Sequence, residues 1–273
     1  MPTDTGPRHP RPGTLHWPAR VPEPLGTIGM LHGVISSAGS WSSVGPSLAA
    51  RGWEVTAVDL PGHGEASRPK APADPVAELV AGAMGALPER VDVLVGHSLG
   101  AVVALAIADA HPGFARGLVL EDPPARSALD TELLASGLEA LGQAVRADRA
   151  GYHKQLRSSN PRWSDADVDQ AVAALEACDT VEIARALRAG MWWDLPAMLA
   201  QVTCPVLLVA APEVPGAIPI VQGTALLGAE RQAMGQLLPP GRFVVLDGGH
   251  SLHRELPDEM ARLIDRFASE VVS

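Results

Sequence analysis

The sequence predicts an α/β fold, built on a mostly parallel, doubly wound β-sheet with helices on both faces. Short apolar runs of strand length alternate with helical stretches through the first 124 residues and return after residue 201. Between these two parts, residues 125–200 show helical periodicity and no run typical of a strand. A chain of 273 residues is long enough for one large domain or two small ones.

The first part of the chain supplies most of the predicted sheet. Apart from Asp92, residues 91–95 are apolar and rich in β-branched side chains, which is typical of a buried strand. Arg51 and Gly52 end the first helix with a capping signal. The predicted strands are residues 13–17, 26–31, 53–58, 91–95 and 117–121, and the predicted helices are residues 41–50, 75–87 and 101–110.

The second part begins with an inserted helical subdomain and then completes the sheet. Ser164 and Asp167 form a capping box that starts one of the inserted helices. The predicted helices are residues 131–147, 164–177, 181–189, 222–238 and 257–271, and the remaining strands are residues 205–211 and 242–246. We expect a flexible N-terminal arm (1–13), a core (14–124 and 201–273) and a helical cap (125–200).

The composition of the chain limits the cellular compartments and the classes of partner that can be expected for it. A formal net charge of −10 argues against nucleic acid and anionic membranes as partners. No apolar run approaches the roughly 18 residues that a spanning helix needs, and residues 1–13 lack the apolar core of a secretory signal. Cys178 and Cys204 lack metal-ligand spacing and are too few for a disulfide framework. These features predict a cytoplasmic protein; the oligomeric state stays open, with a homodimer as one alternative.

The pentapeptide Gly-His-Ser-Leu-Gly at residues 96–100 lies between a predicted strand and a predicted helix. In that context a Gly-x-Ser-x-Gly turn holds its serine in a strained backbone conformation, and the two glycines avoid collisions with the neighbouring strand and helix. The helix N-terminus then offers free N–H groups to negative charge that develops nearby. Ser98 is therefore predicted to be a nucleophile.

Three further motifs follow predicted strands: Leu-His-Gly at residues 31–33, Asp-Leu-Pro-Gly-His-Gly at 59–64 and Gly-Gly-His at 248–250. With these four motifs in order, the chain resembles the α/β-hydrolase fold family over its whole length after the N-terminal arm. It is most similar to serine esterase and lactonase members with a helical cap. Each motif follows the carboxyl end of a strand, where ligands bind in parallel sheets.

The resemblance implies that His250 is the general base, because it lies late in the chain as the family order of serine, acid and histidine requires. Ser98 needs such a base since its hydroxyl is protonated at neutral pH. The competing histidines are His32, His63, His97 and His253, for which packing or structural roles are expected.

The acid of the triad has three candidates. Family members most often carry it after the strand that matches residues 205–211, but that loop here offers only Glu213, between two prolines. A minority carry it one strand earlier, where this chain has Asp122. We favour Asp122, with Glu213 as the alternative. Glu121 is third, because strand alternation turns it away from its neighbour. The acid would orient His250 and stabilise its charged form.

The resemblance also implies the groups around the nucleophile. The backbone N–H groups of Val34 and Leu99 are expected to form the oxyanion hole. Gly33, His97, Trp192 and Trp193 are predicted substrate contacts, although burial is the default for the two tryptophans.

The predicted reaction is hydrolysis of a carboxylic ester or lactone of a small to medium apolar substrate, through an acyl-enzyme on Ser98. No dinucleotide fingerprint, phosphate-binding loop or zinc spacing is present, so we expect neither a cofactor nor a metal. The alternatives are a C–C bond hydrolase, a lyase or a perhydrolase of the same fold, and a non-catalytic ligand-binding member.

Overall fold

The computed structural model describes residues 8–66, 74–126, 130–191, 193–214 and 223–273. Its centre is a seven-stranded sheet in the order β1-β3-β2-β4-β5-β6-β7, in which β1 alone is antiparallel to its neighbour. The strands are β1 (Thr14–Trp17), β2 (Gly26–Leu31), β3 (Trp53–Val58), β4 (Val91–His97), β5 (Ala115–Glu121), β6 (Val206–Ala210) and β7 (Phe243–Val245). The predicted fold class is confirmed.

Helices cover both faces of this sheet. The helices that lie outside the region between β5 and β6 are α1 (Gly45–Ala50), α2 (Pro75–Ala86), α3 (Leu99–Ala110), α9 (Gly228–Leu237), α10 (Leu252–Glu255) and α11 (Pro257–Val272). Between β5 and β6 lie α4 (Thr131–Ala147), α5 (Arg149–Ser159), α6 (Asp165–Ala177), α7 (Thr180–Arg188) and α8 (Leu195–Gln201), which we call the helical insert.

The apolar core lies on the two faces of the sheet. Successive residues of a strand point to opposite faces, and in β4 Leu94 packs on the side of α2 and α3 while Val93 and Val95 pack on the side of α1 and α11. Val93, Leu94 and Val95 are fully buried, so both faces of β4 are covered from residue 93 onward. Asp92, near the start of the strand, is only partly buried and accepts a hydrogen bond from the N–H of Thr27 (2.8 Å).

The helical insert contacts the loops that follow the carboxyl ends of the strands. The N–H of Asp179 donates to the carbonyl of Gly62, after β3 (3.0 Å). The indole N–H of Trp193 donates to the carbonyl of Pro124, after β5 (2.7 Å). The insert therefore lies at the edge of the sheet where the four sequence motifs converge.

The structure differs from the predicted elements in several places. Helices α8 and α10 were not predicted, and the helix expected over residues 222–238 is observed from Gly228 to Leu237. The predicted helix 41–50 is divided into a 3-10 helix (Ala38–Ser43) and α1, because Pro46 favours a new helix start. Helix α5 was not predicted since none of its residues is buried, which leaves no apolar periodicity. The arm 1–13 falls partly outside the described residues, and within it Arg8 forms a backbone bridge with His16.

A glycine pair makes the turn after β4 possible and supports a stability prediction. A Cβ at Gly96 would lie 2.3 Å from the carbonyl oxygen of Gly100, whereas one at Gly85, in helix α2, would meet nothing within 4 Å. We expect Gly96→Ala to lower the free energy of unfolding by about 3 kcal/mol or more. Gly85→Ala should raise it by about 0.5–1 kcal/mol. Urea denaturation of both variants tests this, and equal stability would contradict it.

Candidate active site

The turn between β4 and α3 holds Ser98 in a strained conformation. Its φ of 52° and ψ of −117° lie outside the regions that a residue with a side chain prefers. The turn fits only because Gly96 and Gly100 lack side chains, since a Cβ at Gly100 would lie 2.4 Å from the carbonyl oxygen of Leu31. The N–H of Ser98 donates to the carbonyl of Glu121 (2.8 Å), which ties the turn to the end of β5.

Asp122 follows β5 directly and is fully buried. Its carboxylate accepts four hydrogen bonds, from the backbone N–H of Ala211 (3.3 Å) and of Ala225 (2.8 Å), the hydroxyl of Thr224, and Nδ1 of His250 (2.6 Å). Asp122 also has a positive φ of 43°, which turns its side chain out of the strand alternation. The donors compensate the cost of burying a carboxylate and leave it accepting from the His250 ring.

The two other carboxylates proposed for the triad lie elsewhere. Glu213 is exposed, accepts a hydrogen bond from the N–H of Gly228 (2.9 Å) and lies 3.8 Å from Arg231. Glu121 is fully buried and accepts from both the N–H (2.9 Å) and Nδ1 (2.8 Å) of His253. Of the three candidates, Asp122 is the one that the structure brings into contact with His250.

His250 is held between Asp122 and His97. Its Nδ1 faces Asp122, so Nε2 is the ring nitrogen left for another partner. Nε2 of His97 donates to the carbonyl of His250 (3.0 Å), and the two rings lie 4.7 Å apart between centroids. In the part of the chain that is described, no hydrogen bond joins Ser98 to His250. Such bonds are often long before substrate binds.

His97, a predicted substrate contact, packs against the backbone of the proposed general base. It is nearly buried, at 6% exposure, and its ring supports the His250 backbone. The structure thus gives His97 a role as a support for His250, and its role as a substrate contact stays a prediction.

The loop after β2 lies against the nucleophile. A Cβ at Gly33 would lie 2.8 Å from Nδ1 of His97 and 3.1 Å from Cβ of Ser98, so only glycine allows this approach. The N–H groups of Val34, in this loop, and of Leu99, the first residue of α3, have no acceptor among the described residues. The arrangement leaves both donors available to an oxyanion beside Ser98.

Ile35 continues this loop with a φ of 54°, a conformation that β-branched residues rarely adopt. Its side chain packs into the apolar cluster inside the helical insert. That cluster consists of Val145, Val172 and Leu175, with Leu141, Tyr152 and Leu156 at its margin. The strained loop beside Ser98 is therefore held from the insert side by packing.

A second buried group of ionisable residues supports the first. His97, Glu121 and His253 place potential metal-ligating atoms within 4.8 Å of one another. However, Glu121 already accepts two hydrogen bonds from His253, and Trp41 packs on the His253 ring at 4.6 Å. Burial raises the pKa of Glu121 and lowers the pKa of both histidines well below the usual value. Among the described residues, Oε2 of Glu121, Nδ1 of His97 and Nε2 of His253 are buried without a hydrogen-bond partner. The group is linked to His250 through the bond from Nε2 of His97 to the His250 carbonyl.

His32 and His63 are buried beside the same loops as neutral rings. His32 donates from Nδ1 to the carbonyl of Gly33 (2.7 Å) and accepts at Nε2 from the N–H of Leu60 (2.9 Å), so a second proton would break the latter bond. Burial lowers the pKa of His32 from 6.5 to about 4 and that of His63 to about 3.

The low pKa values of these two histidines predict that the folded protein loses stability in mild acid. Because their folded-state pKa values lie below the unfolded value of 6.5, their contribution is complete above that pH and is lost as pH falls toward 4. At about pH 5 each should reduce the free energy of unfolding by about 2 kcal/mol. Urea titrations between pH 8 and pH 5 measure this.

A matched pair of variants separates this effect from general acid sensitivity. His63→Asn should flatten the dependence of unfolding free energy on pH, by about 1.4 kcal/mol per pH unit below 6.5. His111→Asn, at an exposed position, should not. An unchanged slope in His63→Asn would contradict the prediction.

Of the two tryptophans predicted to contact substrate, the structure describes Trp193. Trp193 is buried and its indole N–H is bonded to the Pro124 carbonyl, so it anchors the start of α8 to the core. Its role as a substrate contact stays a prediction. Trp192 lies outside the described residues.

Arg254 is a functional neighbour that sequence reasoning missed. Four residues beyond His250, its buried guanidinium donates to the carbonyl of Asp167 (2.8 Å), to the side chain of Gln170 and to the hydroxyl of Ser36 (3.4 Å). It also lies 4.7 Å from the Trp163 ring. Burial lowers its pKa to about 10, so it stays charged at neutral pH. It joins the insert to the loops that carry His250 and Val34.

The loop that bears His250 has a second link to the insert. Arg162, just before α6, donates to the carbonyl of Asp247. Within the loop, the N–H of Gly249 donates to Glu255 (3.0 Å). The position of His250 is thus set by contacts from both the core and the insert.

Comparison with known proteins agrees with this architecture. The model of the alpha/beta hydrolase family matches residues 30–263. A pimeloyl-[acyl-carrier protein] methyl ester esterase from Neisseria meningitidis serogroup B is 33% identical over 198 residues, covering 69% of this chain and 75% of that protein. An esterase of the same name from Methylococcus capsulatus is 42% identical over 91 residues, covering 33% of this chain and 34% of that protein.

Solved structures show the same fold. The enol-lactonase from Burkholderia xenovorans LB400 superposes with a TM-score of 0.67 at 20% identity, covering 93% of this chain and 96% of that one. Among the helices of the described residues, none combines the length and apolar character needed to cross a membrane.

Proposed function

The chain belongs to the alpha/beta hydrolase family and is a hydrolase acting on ester bonds; on that premise we propose that it cleaves a carboxylic ester or lactone of a small to medium apolar substrate through an acyl-enzyme on Ser98. His250 is the general base and Asp122 the acid that orients it. The observation that carries the proposal is the 2.6 Å hydrogen bond from Nδ1 of His250 to the buried Asp122 carboxylate, beside a strained serine.

The proposed reaction has two halves. Ser98 Oγ attacks the acyl carbon as Nε2 of His250 takes its proton, and the oxyanion is stabilised by the N–H groups of Val34 and Leu99. The protonated His250 then gives this proton to the departing alcohol oxygen, which leaves the acyl group on Ser98. A water molecule, deprotonated by His250, attacks the acyl-enzyme, and His250 returns the proton to Ser98. Asp122 holds the proton on Nδ1 and stabilises the imidazolium.

We also propose a division of the chain into a catalytic core and a cap. We assign residues 14–124 and 201–273 to the catalytic core and residues 125–200 to a cap that covers the carboxyl edge of the sheet. The contacts of Asp179 with Gly62 and of Trp193 with Pro124 support this assignment. Such a cap excludes water and builds an apolar pocket against the core.

Labelling with a fluorophosphonate and mass spectrometry tests the nucleophile. We expect one modified serine, Ser98, and turnover of p-nitrophenyl esters or simple lactones. Labelling elsewhere, or turnover that persists when Ser98 is replaced, would contradict an acyl-enzyme on this residue. Release of the alcohol and the free acid in equal amounts separates hydrolysis from lyase or perhydrolase chemistry.

A second candidate substrate is the methyl ester of an acyl chain bound to a carrier protein. It is favoured by the 33% identity to esterases of that name. Five of the seven arginines of the cap region, however, are already paired with carboxylates: Arg149, Arg157, Arg162, Arg185 and Arg188. Of the remaining cations of that region, Arg146 and Lys154 are exposed and form no ion pair among the described residues. We therefore place free esters first. Comparing kcat/KM for one methyl ester, free and attached to a carrier protein, decides between the two.

A further inference from the structure

An apolar cavity of about 60 Å³ lies where the insert meets the core, directly beside the nucleophile turn. Its wall includes Leu79 of α2, Leu99 of α3, and Ile183, Ala186 and Met191 of the insert. The volume has room for roughly four water-sized groups, which corresponds to a short hydrocarbon chain. Leu99 follows Ser98 in the chain and is the residue that this wall shares with the proposed oxyanion hole.

The charged residues of this cavity all carry the same sign. Glu78 and Glu182 line it, and among the described residues of the wall there is no lysine or arginine. Glu182 pairs with Arg185 at 2.8 Å, outside the lining, whereas no ion pair is formed by Glu78 within the described parts of the chain. A carboxylate that entered the cavity would lose its hydration and face two negative charges, of which that of Glu182 alone has a positive partner among the described residues.

We propose that this cavity is the subsite for the apolar acyl group of the ester, and that Glu78 and Glu182 make it select neutral or cationic groups against carboxylates. The inference rests on the proposed function and adds the substrate class. Both carboxylates lie on helices that come from opposite sides, Glu78 on α2 of the core and Glu182 on α7 of the insert. The selection therefore depends on the insert being docked.

Two esters of equal chain length test the charge selection. p-Nitrophenyl butyrate and mono-p-nitrophenyl succinate differ in that a carboxylate replaces the terminal methyl group. The ratio of their kcat/KM values should favour butyrate strongly in the unmodified protein. In the double variant Glu78→Gln/Glu182→Gln the ratio should shift toward succinate by about tenfold, since two charges near the group are removed. Glu89→Gln, exposed and away from the cavity, should leave it unchanged.

The size of the cavity is tested separately. Ala186→Phe fills part of it, so the ratio of kcat/KM for p-nitrophenyl butyrate to that for the acetate should fall by about tenfold. A double glutamine variant with an unchanged butyrate-to-succinate ratio would overturn the charge selection. An unchanged butyrate-to-acetate ratio in Ala186→Phe would overturn the location of the subsite.

A binding measurement keeps this inference distinct from the proposed chemistry. In Ser98→Ala, calorimetric titration with ethyl butyrate and monoethyl succinate should give tighter binding of the neutral ester, with or without Glu89→Gln. The preference should shrink when Glu78 and Glu182 are both glutamine. If the protein cleaves no ester but keeps this preference, the proposed function fails and the subsite stands; if it cleaves esters with equal binding of both, the subsite fails.

Discussion

Replacing Ser98 with alanine should reduce kcat for a p-nitrophenyl ester by about 10⁶-fold while the fold is retained. The alanine removes the hydroxyl that attacks the acyl carbon but keeps a Cβ, so the contacts of the turn with Gly33 are preserved. The N–H of residue 98 can still donate to the carbonyl of Glu121. The measurement is steady-state hydrolysis together with thermal unfolding.

A neighbouring serine provides the control. Ser251 follows His250 directly and its side chain makes no capping hydrogen bond to α10. Ser251→Ala should keep kcat within a few-fold of the original. Activity that survives in Ser98→Ala at more than about one per cent would show that another group performs the chemistry.

Replacing Asp122 with asparagine should lower kcat by about 10³- to 10⁴-fold, since a neutral amide cannot stabilise the imidazolium or hold the required tautomer. The effect should be large here because the carboxylate is fully buried and accepts from three other donors besides His250. An amide NH₂ would place its hydrogens against one or more of those donors. The loss should fall on kcat more than on KM, measured with a saturating ester.

The matched variant is Glu213→Gln, at the position where family members most often carry the acid. Its carboxylate is exposed and is used by Gly228 and Arg231, so we expect kcat to change less than threefold. The reverse pattern, a large loss in Glu213→Gln and a small one in Asp122→Asn, would move the acid to the loop after β6.

Local patterns predicted the parts of the site that depend on neighbouring residues in the chain. The turn at residues 96–100 could be predicted because its two glycines, and the strand and helix on either side of it, all meet the steric requirement of a tight strand-to-helix turn. The same holds for β2, β3 and α4, whose bounds match the apolar runs and caps. Asp122 became a candidate through the family resemblance, because a minority of members carry the acid one strand earlier than the usual position.

Other features depend on residues far apart in the chain and left no local signal. Thr224 contacts Asp122 across 102 positions, and its surroundings were predicted to be mostly helical. Arg254 reaches Ser36 across 218 positions. Ile35 has a left-handed backbone although its residue type disfavours one. In each case contacts between residues far apart in the chain determine the local structure. Such contacts leave no pattern of fixed spacing in the sequence.

The buried guanidinium of Arg254 carries an evolutionary consequence. It donates to the side chains of Gln170 and Ser36 and lies 3.7 Å from the Asp167 carboxylate, so a change of side chain at any of these positions removes one partner of a desolvated charge. Lineages that exchange the inserted segment for another should therefore carry compensating substitutions at 36 and 254, and chimeras assembled without them should express poorly. We therefore expect substitutions at these four positions to be correlated among related sequences.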